Sequence, residues 1–340
     1  MAPEPIARFG GVFATELECV SADIRDVERG GRWAVAIPFS GQPVMARFGQ
    51  WEQGQIPERF LGTWGGLDPS SWVSSMDATQ YMAAVESTRI RISLGDVYQV
   101  NICRVRSSPR QESDDIMALD RLLARGNPAP YGGAMRLPEQ GVHIASASPE
   151  LFLSRSGNVI ESGPIKGTAT TPEGISAKDR AENIMIVDLV RNDLSRCAET
   201  GSVRVTDLLD IQDHPGLVQL VSTITARLVS DAGWPQILAA TFPPGSVTGA
   251  PKSSALQVIK ELESEERAIY CGAFGWIDAD SNQAQLAVAI RTFWFDDHQV
   301  KFGTGAGITW NSNAQAEWDE TELKARRLSE VASWKYPTDE

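Results

Sequence analysis

The final third of the sequence sets three long apolar segments, "YCGAFGWI", "AQLAVAIRTFWF" and "QVKFGTGAGITW", one after another with short polar breaks, the last break turning at Asp296-Asp297. Extended segments joined this tightly pair antiparallel, because a parallel crossover consumes a dozen or more residues. The same pattern recurs upstream. "RWAVAIPF" and "PVMARFGQW" read as strands of a β-rich first segment, residues 1 to 75, which ends in the loop "GGLDPSSWVSS". "VYQVNICRVR", "GGAMRL", "GVHIASAS", a hairpin from "LFLSR" over Ser156-Gly157-Asn158 to "VIES", "SVRVTDLLDI" and "LVQLVSTITARL" extend the set. Helical periodicity interrupts it at intervals. "DATQYMAAVESTRIRISLGD" puts Tyr81, Val85, Thr88 and Ile92 on one face, and further helices are expected at about 115 to 125, after Pro235, after "PPGSVTGAPK", and from about Asn313 to Trp334. The helix "SAKDRAENIMIVDLVRNDLSR" starts at Ser176, with Asp179 three residues on as in a capping box. Strands joined by short turns, with helices between the groups, predict a mixed α/β or α+β fold built on largely antiparallel sheets.

Charge narrows the function. A net charge of −13 disfavours nucleic acid and anionic membrane as partners, so an anionic substrate would need positive groups gathered locally. Cys19, Cys103, Cys197 and Cys271 are far apart, without a C-x-x-C pair, and "MAPEPIARFGGVF" does not read as a secretory leader; reduced thiols in a cytoplasmic protein are expected. No apolar run is long enough to span a bilayer.

Several residues stand out chemically. Asp179 and Glu182 share a helix face, as do Glu317, Glu320 and Lys324 in the last helix. Either acidic pair alone is an ordinary solvated face, whereas two facing acidic helix ends would make an all-oxygen site suited to Mg²⁺. Histidine and cysteine are too few and scattered for zinc. "TGAGIT" could offer backbone N–H groups to an anion, but neither it nor "PPGSVTGAPK" has a nucleotide-binding spacing. Arg291, in an apolar strand, needs a carboxylate from the protein or from a ligand. Lys166 sits alone in the turn "SGPIKGTATTPEG", and its uncharged sequence neighbours permit a dry pocket.

The ordered set "GDVYQVN", "SASPELF", "GPIKGT", "DRAENIMIVDLVRNDLSR", "LVSTITA", "GSVTGAPK", "YCGAFGW", "AIRT", "GAGI" and "AEWDETELKA", from about 77 to 330, resembles the chorismate-binding enzymes: the anthranilate, aminodeoxychorismate, isochorismate and salicylate synthases. The resemblance implies an α+β fold of the anthranilate synthase component I type, large antiparallel sheets wrapped by helices. It makes residues 76 to 335 one catalytic domain, with a shortened segment at 1 to 75 packed against it as one unit. It implies Mg²⁺ held directly by Glu182 and Glu320, with Asp179 and Glu317 acting through water. Arg291, Tyr270, Gly305 and Gly307 match positions that hold the enolpyruvyl carboxylate of chorismate; Gly167 and Thr168 would offer N–H groups to the ring carboxylate, and Ser246 and Lys324 line the family's pocket. Glu150 matches the general acid, a role for which burial should raise its pKa.

Within the family, the lysine of "GPIKGT" resembles aminodeoxychorismate synthases, where anthranilate synthases carry alanine. A neutral lysine amine adding at C2 of chorismate can expel the allylic C4 hydroxyl, after which ammonia displaces it. Gln99 stands where the isochorismate and salicylate formers carry a lysine that activates water, and an amide cannot be that base. Lys166 and Gln99 therefore favour aminodeoxychorismate formation, on the route to 4-aminobenzoate and folate, over anthranilate or isochorismate. Gln219 replaces a histidine of the family pattern, and "ATTPEG" replaces a basic, proline-containing run; these departures and the shortened first segment support the alternative of a non-catalytic chorismate-binding protein. No Cys-His-Glu glutaminase set is evident, so the ammonia is expected from a separate glutamine amidotransferase subunit.

Overall fold

The computed structural model describes residues 3–214 and 217–337. The first segment forms β1 (Ile6–Phe9), β2 (Val12–Ser21), β3 (Arg32–Ile37), β4 (Val44–Gln53) and β5 (Val73–Ser74). There follow α1 (Ala78–Ser93), β6 (Gln99–Pro109), α2 (Ile116–Gly126), β7 (Tyr131–Leu137), β8 (Val142–Ser148), β9 (Leu151–Ser156), β10 (Val159–Gly163) and β11 (Ile165–Ala169). The remainder is α3 (Ala177–Ser195), β12 (Arg204–His214), β13 (Leu217–Arg227), α4 (Trp234–Thr241), β14 (Gly249–Ala250), α5 (Lys252–Leu262), β15 (Ala273–Asp278), β16 (Gln283–Val288), β17 (Thr292–Asp296), β18 (Gln299–Ile308) and α6 (Ala314–Ala332).

Every pairing between these strands is antiparallel. Followed through its hydrogen bonds, the sheet runs β5-β6-β18-β17-β8-β7-β1-β2-β4-β3-β15-β16-β9-β10-β13-β12, with β14 beside β6 and β11 beside β13. Strands β1 to β4 thus stand in the middle of the order, β1 against β7 and β3 against β15. The fold is the expected α+β arrangement of large antiparallel sheet and packed helices.

The helices follow their local chemistry. Asp77 caps α1 in a reciprocal box with Gln80, and Tyr81, Ala84, Val85 and Thr88 form its buried face. Ser176 and Asp179 make the box expected at the start of α3, whose buried side carries Ile186, Val187, Val190 and Leu194. Asn313 caps α6, which buries Thr321, Ala325 and Leu328 and, on the same face, Glu317.

Two expected strands are shorter than their apolar runs. "AQLAVAIRTFWF" breaks between Val288 and Thr292, where Arg291 adopts φ 53°. "YCGAFGWI" enters its strand only at Ala273, because Cys271 turns at φ 65°. The two breaks are bonded to one another: Cys271 N donates to Ala289 O at 2.9 Å and Ala289 N to Gly272 O at 2.8 Å. Backbone hydrogen bonding is preserved while Tyr270 and Arg291 leave the pleat. All four cysteines are free, three of them buried, and among the described residues no helix is long and apolar enough to cross a membrane.

Candidate active site

A cavity of about 850 Å³ opens where the β6–β18 pair, β11, β13, α3 and α6 approach one another. Glu150, Lys166, Gly167, Ser246, Tyr270 and Arg291 line it, together with Gly305, Gly307 and Lys324. Asp179, Glu182, Glu320 and Gln219 line it too. Gln99, expected to bind substrate, is not among the lining residues; its Nε2 stands against Gly307. Glu317 is 2 % exposed and reaches the others through Lys178. The side chain of Thr168 lies outside the described residues; its backbone pairs with Gln219 in the β11–β13 ladder.

Lys166 leaves β11 and donates from Nζ to Ser246 O at 3.1 Å. Gly307 makes its neighbourhood possible, since a Cβ there would collide with Gln99 Nε2 and come 3.6 Å from Lys166 Nζ. Gly167, at φ +84°, turns the chain so tightly onto α3 that a Cβ would stand 2.8 Å from Asp179 Cβ. The sequence neighbours of Lys166 are uncharged, but its charge acts on Glu150 and Glu182, each sixteen residues away along the chain, and on Glu320 from α6.

Glu150 is 4 % exposed, and burial pushes its carboxyl up to about 7, against the opposing pull of the Ser246 hydroxyl, Lys166 and Lys324. A carboxylic acid so placed is part protonated near neutral pH and able to give up a proton.

Arg291 is held by a backbone angle rare for a residue with a side chain. Among the described residues no carboxylate pairs with it, and burial pulls its guanidinium down from its ordinary value. It is a cation facing a cavity without a protein counterion. Gln99 and Gln219, 1 % and 2 % exposed, each keep a buried Oε1 without a hydrogen-bond partner. Behind these groups Arg267 braces the wall, donating to both Glu263 oxygens, to Val247 O at 2.9 Å and to Asn101 O at 2.7 Å.

The acidic residues meet their own lysines. Lys178 Nζ lies 3.1 Å from Glu317 Oε1 and 3.6 Å from Glu182 Oε1. Lys324 Nζ lies 2.7 Å from Glu320 Oε1 and donates to Gly305 O at 3.0 Å. Asp179 spends Oδ2 on the α3 cap, accepting from Ser176 N at 2.8 Å. Among the described residues no three His, Cys, Asp or Glu side chains converge tightly enough to hold an ion by themselves. The donor set nevertheless fits Mg²⁺, which keeps several waters and needs only one or two direct carboxylates: the groups are all carboxylates, and Glu182 Oε1 is buried without a hydrogen-bond partner. Burial pushes Glu182 up, against Lys166 and Lys178. For Glu320 burial acts the same way, but Lys324, together with Lys178 and Lys166, outweighs it and holds the carboxyl below its ordinary value.

Sequence reasoning missed Lys178, although it precedes Glu182 by four residues on α3, a spacing that signals an ion pair. It also missed Asn101, which lines the cavity two residues beyond Gln99, and Arg267, whose buried pairing with Glu263 has no signature beyond i,i+4 spacing.

A family model described as chorismate binding enzyme matches residues 50–330. Aminodeoxychorismate synthase component 1 of Salmonella typhimurium is 38 % identical over 271 residues, which span 76 % of this chain and 59 % of that protein. Anthranilate synthase component 1 of Aquifex aeolicus is 36 % identical over 274 residues, spanning 77 % of this chain and 54 % of the relative. The chain thus spans less than two thirds of the length of these relatives. In fold it is similar to the menaquinone-specific isochorismate synthase of Escherichia coli, with a TM-score of 0.81 at 18 % identity over 96 % of this chain and 88 % of the other.

Proposed function

The chain belongs to the chorismate-binding enzyme family, and from that premise we propose that it aminates chorismate at C4, the aminodeoxychorismate synthase reaction, through a covalent bond to Lys166. The observation that carries this reading is Lys166 itself, whose Nζ lies in the same cavity as a buried carboxylic acid and an unpaired guanidinium. Similar identity to relatives named for two different reactions leaves the choice to such residues.

In this reading Arg291, with Tyr270 and the backbone of Gly305 and Gly307, holds the enolpyruvyl carboxylate, while Gly167 and Thr168 present N–H groups to the ring carboxylate. Ser246 and Lys324 complete the wall. Glu182 and Glu320, with Asp179 and Glu317 acting through water, would hold Mg²⁺, which when bound withdraws electron density from the ring as a Lewis acid. Neutral Lys166 adds through its nitrogen lone pair to C2, both double bonds of the ring diene shift toward C4, and the C4–O bond breaks. The proton of Glu150 leaves with the hydroxyl as water. Ammonia then adds at C4, both double bonds shift back, and the C2–N bond breaks to return the Lys166 amine; Glu150 recovers a proton from the new ammonium group.

Gln99 supports ammonia over water as the nucleophile, because an amide cannot deprotonate water. Its unpartnered oxygen and that of Gln219 can only accept hydrogen bonds. A non-catalytic binder is disfavoured because binding alone needs neither Lys166 nor Glu150. The ammonia is assigned to a glutamine amidotransferase subunit, in keeping with the "component 1" in the relatives' names, and the product to 4-aminobenzoate and folate synthesis.

Mass spectrometry of the products from purified protein, chorismate, Mg²⁺ and an ammonium salt tests the reading. A species with hydroxyl exchanged for amine and pyruvate retained is expected. Anthranilate, or an isomer of chorismate's own mass, would overturn it.

A further inference from the structure

We propose that Lys178 is a built-in counter-cation to the carboxylates that would hold the divalent ion, and that the ion binds by displacing it into solvent. The inference rests on the metal assignment made above but not on the nucleophile or the product.

Three observations carry it. The ammonium lies between Glu182 Oε1 and Glu317 Oε1, at 3.6 and 3.1 Å. An Mg²⁺ bound to Glu182 and Glu320, with Glu317 reached through water, would compete with the ammonium for the Glu182 carboxylate, since its oxygen contacts are about 2.0–2.1 Å. Lys178 also occupies the first turn of α3, where the helix dipole disfavours a cation, so helix stability does not account for it. Glu317, 2 % exposed on the buried face of α6, does account for it, because a carboxylate so deeply placed requires a counterion when no metal is there.

Release is open to Lys178 and closed to the neighbouring lysine. Both side chains are nearly half exposed, 45 % and 47 %, but among the described residues the hydrogen bond of Lys178 is to Glu317 alone. Lys324 is instead tied to a backbone carbonyl, Gly305 O, as well as to Glu320. Lys178 would therefore swing outward on a flexible four-carbon stem while Lys324 stays.

The test is calorimetric titration of MgCl₂ into the full chain after chelator treatment, with Lys178→Met and Lys178→Gln as neutral variants and Lys178→Arg as the charge-keeping control. The neutral variants should bind Mg²⁺ about three- to tenfold more tightly, the scale of losing one competing ion pair, and Lys178→Arg should stay near the parent value. Displacement is read separately by acylating surface amines and measuring modification of Lys178 by mass spectrometry, which should rise several-fold when Mg²⁺ is added to the parent protein. Equal affinities, or Lys178 labelling indifferent to Mg²⁺, would overturn the proposal alone. Absence of Mg²⁺ binding by every form would overturn it together with the metal assignment, while leaving the lysine chemistry of Lys166 to the product analysis.

Discussion

Lys166 donates to the backbone carbonyl of Ser246 at 3.1 Å, so its amine is held by an uncharged acceptor rather than locked to one carboxylate. That arrangement leaves the lone pair free to engage a substrate once the proton has gone. Lys166→Ala should lower turnover about 100-fold or more, the scale on which loss of a positioned reacting group is felt, while chorismate still binds. Steady-state kinetics beside a direct binding measurement checks this, and unchanged turnover would sink the covalent mechanism.

Glu150 ties activity and stability together through one proton. Its folded pKa of about 7 lies above the ordinary 4.5, so the native state binds a proton that the unfolded state has released between those values. Stability therefore falls as pH rises through that window, by roughly 3 kcal/mol in all at 1.36 kcal/mol per pH unit. Glu150→Gln should remove that loss, so the variant should gain stability over the parent in denaturant titrations at pH 8 relative to pH 5. It should also lose about 100-fold or more in kcat, together with the decline in rate above pH 7 expected of the acid form.

Arg291 should act mainly in binding. Replacing it by Gln removes a charge-assisted contact to an anionic group, worth about 1.5–3 kcal/mol, so kcat/KM for chorismate should fall roughly 10- to 150-fold. The ligand-free protein should lose little stability, because among the described residues no carboxylate is left without its partner. A large drop in melting temperature would show instead that Arg291 holds the fold.

Gly307 is a spacing requirement. In Gly307→Ala the new methyl would collide with the Gln99 amide and crowd Lys166, and activity should drop at least about tenfold. Shortening the obstructing side chain in Gln99→Ala/Gly307→Ala should restore part of the loss attributable to crowding, which a double-mutant cycle measures as a non-additive term. Simple additivity would argue that the two residues do not meet.

Local features were legible along the chain. The capping box of Ser176 and Asp179, the α1 face of Tyr81, Val85 and Thr88, and the hairpin over Gly157 all arise from residues within a few positions of each other, where propensity and periodicity act directly. The motifs named most of the cavity's residues for the same reason: each is a short run whose order survives in one dimension. The breaks at Cys271 and Arg291 were not legible, because apolar composition predicts a continued strand and only the cross-bonding of two distant segments makes leaving it cost little.

The sequence by itself determined the antiparallel α+β class and the cap of α3, since these depend on turns and periodicity, and its motifs pointed to the candidate nucleophile and acid through their resemblance to a known family. Tertiary structure decided that β1 to β4 stand between strands β7 and β15, that Lys166 looks onto carboxylates rather than its own uncharged neighbours, and that Lys178 stands among Glu182 and Glu317. The strand pairings and the Lys178–Glu317 contact join residues more than a hundred positions apart. Burial and charge there are set by whatever the fold brings near, and no local pattern records it.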